Sequence, residues 1–103
     1  MVKTPIYNDT DWTKLVNGVQ YRIKNNVLYM SFLRPYITLD AVNKWKNIGK
    51  IPITLPFTFD FTIANNDYFG DVVDCRIHDN GEISVGSSKH TTIALTGTIS
   101  LPL

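Results

Sequence analysis

The stretch from Asp71 to Gly86, DVVDCRIHDNGEISVG, leaves this chain little freedom in what it can become. Val73, Cys75 and Ile77 alternate with Asp74, Arg76 and His78, and Ile83 and Val85 alternate with Glu82, Ser84 and Gly86. A period of two marks strands that bury one face. Between them lies Asp79-Asn80-Gly81. A two-residue Asn-Gly loop would set Ile77 opposite Ser84 and mix the faces. A three-residue loop sets Ile77 opposite Ile83, Cys75 opposite Val85 and Arg76 opposite Ser84, and cross-strand partners share a face. It also puts Gly81 where a left-handed bulge residue is required. The pattern therefore predicts an antiparallel hairpin. Its apolar face is Val73, Cys75, Ile77, Ile83 and Val85, and its polar face is Asp74, Arg76, His78, Glu82 and Ser84.

The rest of the chain repeats this grammar. Asp11 to Val16 reads as a short strand and Asn17-Gly18 as a turn. Val19, Tyr21 and Ile23 alternate with polar residues, Asn25-Asn26 turns again, and Val27 to Leu33 follows as an apolar strand. The run VLYMSFL is apolar on both faces, which suits a central strand or a subunit contact. Thr38 to Lys46 holds the one candidate helix, with Leu39, Val42 and Trp45 at a spacing of three; a structured loop fits it equally. Pro52 and Pro56 keep their segment off a central ladder. Phe57, Phe59 and Phe61 alternate with Thr58, Asp60 and Thr62 as a strand, Asn65 to Gly70 is a loop, and Thr91 to Leu101 is a last strand. Strands joined by turns predict an all-β fold, a small antiparallel sandwich or barrel. Its expected extent is residues 11–103, after an N-terminal arm or linker remnant over 1–10.

With 103 residues the chain forms one domain, and 44% hydrophobic residues give it a small core. Ten basic residues against nine acidic ones argue against electrostatic capture of nucleic acid or of an anionic membrane. No segment is long and apolar enough to span a bilayer as a helix. Cys75 is the single cysteine and points inward, so no internal disulfide and no cysteine-based zinc site is expected. His78 and His90 have no metal-ligand spacing, and phosphate-binding glycine loops and nucleophile elbows are missing from the sequence. Ser87, Ser88 and His90 lie close together without a third group to orient them. A non-enzymatic protein that needs no cofactor or metal is the expectation.

Two sites remain. Lys44-Trp45-Lys46 with Lys50 puts an aromatic among cations, a combination also seen where single-stranded nucleic acid is held; the plainer reading packs Trp45 inward. Asp74, Arg76 and Ser84 combine carboxylate, guanidinium and hydroxyl on one face, which suits sugar hydroxyls. The plainer reading there is a solvated face with one weak cross-strand ion pair.

From Trp12 onward the order of features resembles the head domain of siphophage receptor-binding proteins, such as those at lactococcal phage tail tips. The pieces that carry it are the Trp12 strand, the turn followed by VQYRIKNNVLYMSF, GKIPITLPFTF after a long loop, the hairpin CRIHDNGEIS, and the ending TIALTGTISLPL. The resemblance implies a small β-barrel or sandwich that assembles as a homotrimer, sits on a virion at the tail tip or baseplate, and binds host cell-wall saccharide. In that family polar residues on the strand before the final glycine turn contact the sugar in a His-x-Asp-like pattern. Counting back from Gly81, those positions are Asp74 and Arg76, and the position after the turn is Ser84. Neither of the first two is a histidine, and Val85 stands where the family has a tryptophan. His78 completes the expected saccharide-binding set, with Trp45, Tyr68 or Phe69 as the aromatic platform. The family's neck and shoulder regions have no counterpart here, so the expectation is an excised or processed head that meets other virion tail proteins through upstream regions. Two alternatives stay open: a structural tail or baseplate module that contacts virion proteins alone, and a fragment of a cell-wall hydrolase.

Overall fold

Eight strands account for the fold of residues 7–103, the part of the chain that the computed structural model describes. They are β1 (Thr13–Val16), β2 (Val19–Lys24), β3 (Val27–Thr38), β4 (Lys46–Lys50), β5 (Phe59–Asn65), β6 (Val72–Ile77), β7 (Glu82–Gly86) and β8 (Thr92–Pro102). All pair antiparallel in one sheet, in the order β1-β2-β3-β8-β5-β6-β7-β4. The sheet curls until its two ends meet. A Cβ placed on Gly49 of β4 would lie 3.4 Å from Leu15 and 3.6 Å from Val16 of β1. No hydrogen-bonded ladder joins these two strands, so the molecule is a nearly closed barrel with one seam held by side chains.

The alternation read from the sequence fills the barrel. Val19, Tyr21 and Ile23 point inward from β2, and Leu28, Met30 and Phe32 from β3. Val73, Cys75 and Ile77 meet Ile83 and Val85 in the register that the three-residue loop requires. The loop itself is closed by the Gly81 and His78 amides, which donate to His78 O and Glu82 O at 2.8 Å each, with Gly81 at φ +93°. Asn25 and Asn26 both adopt positive φ (52° and 59°), the pair of left-handed residues whose twist suits a two-residue hairpin. The β3 run that looked two-sided is central, between β2 and β8. Its inner residues are buried, and Leu33 is left 69% exposed on the outside.

Three local readings change. The β3 strand does not stop at Leu33: it bulges at Arg34 (φ +51°) and Pro35 and continues to Thr38. The candidate helix over 38–46 is therefore a loop. Leu39 is buried with its amide bonded to Thr91 O at 2.6 Å, and Asn43 (φ +60°) donates to Ser87 O at 2.8 Å. These long-range bonds satisfy amides that a helix would have paired locally. Before β5, the Pro52–Pro56 segment is strandless as expected, but it belongs to the core. Ile51 and Leu55 are buried, and their amides bond Gly81 O and Asp79 O. Of the expected N-terminal arm, residues 1–6 lie outside the described residues. Residues 7–10 are tied to the barrel: Tyr7 donates from its hydroxyl to Thr54 O at 2.9 Å, and Thr10 exchanges bonds with Ile23.

Candidate functional site

Strand register builds the outer face of β5, β6 and β7. Asp60 lies opposite Arg76, Arg76 opposite Ser84, and Ser84 opposite Asn47 of β4. One step along, Thr62 lies opposite Asp74 and Asp74 opposite Gly86. Because Lys46 pairs with Val85, Trp45 arrives beside Gly86. Gly86 has no side chain, and the indole occupies that space: a Cβ on Gly86 would lie 3.7 Å from its Cε3 atom. The guanidinium carbon of Arg76 sits 4.8 Å from the Trp45 ring centre, within the range where the ring's electron-rich face attracts a cation.

Arg76 is held from two sides. Its Nε donates to Asp60 Oδ1 at 2.6 Å and its Nη2 to Asp60 Oδ2 at 3.1 Å, a bidentate pair. The bond to Arg76 pulls the Asp60 carboxyl below its ordinary value of 3.8, and the bond to Asp60 raises Arg76 above its own. Both groups stay charged and fixed. The Asp74 side chain is exposed and makes no hydrogen bond or ion pair among the described residues. A hollow of ≈ 300 Å³, lined by Trp45, Asp60, Thr62, Asp74 and Arg76 among others, lies on one side of it. A second of ≈ 160 Å³, lined by Asn43, Lys44, Trp45, Asp74, Gly86 and Ser87, lies on the other. Trp45 and Asp74 are common to both. The bonding capacity on offer is one free carboxylate, the remaining guanidinium N–H groups, the Thr62 hydroxyl and an exposed indole.

Five residues were expected to bind saccharide, and the structure brings Trp45, Asp74 and Arg76 together. Ser84 and His78 lie aside from the hollows. Ser84 is 7% exposed, and its hydroxyl bonds His78 Nε2 at 3.1 Å, so each is occupied by the other. The reading that packs Trp45 inward is overturned: the residue is 44% exposed, because its neighbour across the sheet is a glycine and its cation is on the outer face. Tyr68 stacks on His90 with ring centres 3.5 Å apart, and Phe69 is wholly exposed in the same loop; neither lines these hollows. Asp60 was not a candidate. Its alternation with Phe59 and Phe61 placed it on a polar strand face, but the pairing of β5 with β6 that carries it to Arg76 is a long-range fact.

A separate cluster joins two loops. His90 Nε2 lies 2.7 Å from Asp71 Oδ2, and Lys89 Nζ lies 3.2 Å from Asp71 Oδ1. The bonds from His90 and Lys89 lower the Asp71 carboxyl below its ordinary value. Ser87 Oγ accepts the amides of Lys89 and His90 at 3.1 Å each. Among the described residues no group of three or more histidine, cysteine or acidic side chains is placed to hold a metal ion.

No family model matches the chain, and no curated protein does. Among solved structures, the head domain of lactococcal phage bIL170 superposes with a TM-score of 0.59 over 90% of this chain and 97% of that one, at 24% sequence identity. The fold is similar to that of a lactococcal phage head. The bIL170 structure is described in terms of a common fold for the receptor-binding domains of lactococcal phages. The likeness covers nearly the whole of both chains, and of the barrel or sandwich that the resemblance implied, the nearly closed sheet is the barrel.

Proposed function

We propose that this domain is the head of a phage receptor-binding protein and that it holds a host cell-wall saccharide on the outer face of β5–β7, with Trp45 as its platform. The observation that carries this reading is Trp45, braced over Arg76 and Gly86 with the unspent Asp74 carboxylate beside it and a hollow on either side. A sugar ring offers an apolar face and a rim of hydroxyls that both donate and accept. The indole takes the face, Asp74 accepts from the rim, and Arg76 donates to it. The phage-head fold supports the receptor-binding part of the reading. In this reading the protein is not an enzyme, and it resides on the virion tail.

The reading includes a homotrimer. Leu33, Thr96, Ala64 and Val72 follow one another across β3, β8, β5 and β6, and Leu33 and Val72 are exposed on the outside. The same row, apolar except for Thr96, favours a second reading, a tail module that contacts virion proteins alone. Binding to purified cell walls of candidate Gram-positive hosts separates the two. The head reading expects Trp45→Ala and Asp74→Ala to lose wall binding while Leu33→Ala keeps it. Wild-type protein that ignores every wall offered but binds purified tail proteins sinks the head reading.

A further inference from the structure

Away from the Trp45 face, on the outside of β2 and β3, lies another hollow of ≈ 290 Å³. Trp12, Arg22, Lys24 and Tyr29 line it. Arg22 and Lys24 are two apart on β2 and leave the same face, and Tyr29 lies opposite Arg22 on β3. Trp12 is 46% exposed. Neither cation has a carboxylate partner among the described residues, and the Nε of Arg22 is buried without an acceptor. The nearest acidic residues, Asp9 and Asp11, flank Trp12, but Asp9 accepts the Asn25 amide at 2.9 Å and neither forms an ion pair among the described residues. Strands β1, β2, β3 and β8 carry Lys14, Arg22, Lys24 and Arg34 and no acidic residue, whereas Asp60, Asp74 and Glu82 all lie on β5, β6 and β7.

Two like charges side by side on one strand repel, and a buried donor without a partner is costly. An oxyanion relieves both, because a guanidinium offers a planar fork that matches carboxylate or phosphate and an ammonium adds a second charge. The two aromatic walls match a ring-shaped body attached to that anion. We infer that the Trp12–Arg22–Lys24–Tyr29 hollow is a second ligand site, for a saccharide that carries a phosphate or carboxylate group. It is chemically distinct from the Trp45 face, whose free charge is the acidic Asp74 and whose arginine is already paired.

The two tryptophans of the chain fall one at each site, so their indole N–H resonances in a ¹H–¹⁵N spectrum report the sites separately; Trp45→Phe assigns them. Titration uses glucose 6-phosphate, glucuronate, uncharged glucose, inorganic phosphate and a poly-glutamate peptide. The Trp12 signal is expected to shift saturably with the phosphorylated or the carboxylated sugar, the stronger of the two naming the anion. The shift should weaken as salt rises and weaken at least about tenfold in the Arg22→Gln/Lys24→Gln variant, the loss of one or more charged hydrogen bonds. Both side chains are on the outer face, and the unchanged remainder of the spectrum reports that this variant folds. Equal shifts with uncharged glucose would remove the anion from the proposal. Inorganic phosphate binding as tightly as the sugar phosphate would remove the ring. Saturable binding of poly-glutamate without binding of either charged sugar, or no shift at all, would overturn the site as a saccharide site. The Trp45 signal and the wall-binding results are read independently, so failure here leaves the function proposed above standing, and the reverse.

Discussion

A carboxylate that has found a cation behaves differently from one that has not, and the outer face holds both kinds. Asp60 and Asp71 are bonded to Arg76 and to His90 with Lys89, and both have lowered values. A carboxyl depressed on folding stabilises the native state above its unfolded value, and that contribution is lost as the pH falls through the folded value. These two groups therefore add stability at neutral pH that disappears in acid, below the ordinary carboxylate value of 3.8. Asp71→Asn should lower the urea midpoint at neutral pH and leave it nearly unchanged in strong acid. An equal loss at both pH values would show that Asp71 acts by packing and not by charge. Gly81 makes a second residue-scale prediction. At φ +93° a side chain is strained, and a Cβ there would drive into the carbonyl oxygens of Ile51 and Ile53. Gly81→Ala should destabilise by about 1–3 kcal/mol, measured by urea unfolding. Burial and the nearby Asp74 push the Cys75 thiol up to about 12, so it should react with disulfide reagents only as fast as the barrel opens.

Elements whose signals are local were legible. The β6–β7 hairpin declared its faces, its register and its glycine in sixteen consecutive residues, and the structure repeats all three. What could not be read was decided by distant partners. Leu39, Val42 and Trp45 have helical spacing, yet Thr91 and Ser87 capture amides of that loop. Tertiary bonds outweighed a short local preference, as is usual for a segment too short to form a stable helix by itself. The apolar run ended the expected strand at Leu33, but a left-handed Arg34 lets β3 bulge past Pro35 and continue. In the site, Arg76 and Asp74 were visible from period two. Asp60 and the outward turn of Trp45 depend on β5 and β4 flanking the hairpin, which no local pattern encodes. The central place of β3 carries its own expectation. Leu28 is fully buried, and Leu28→Ala should cost about 2–5 kcal/mol in chemical unfolding, as for core leucines generally. A cost under 1 kcal/mol, which is about the size of a surface effect, would contradict that placement.

At the scale of the whole molecule, the apolar row on β3, β8, β5 and β6 predicts self-association. Sedimentation at increasing concentration should move toward a trimer by mass action, and Val72→Lys should shift the protein to monomer without unfolding it. A wild type that stays monomeric at every concentration, or a trimer indifferent to Val72→Lys, would place the contact elsewhere. The seam between β1 and β4 has a different consequence. Each is the end strand of the sheet, and an end strand normally offers its unpaired amides and carbonyls to any extended peptide. Here each end lies against the other, with Leu15 and Val16 pressed on the backbone of Gly49. A visiting strand has nowhere to dock at this seam. Recognition by backbone zippering is closed along it, and whatever touches the molecule there is met by side chains.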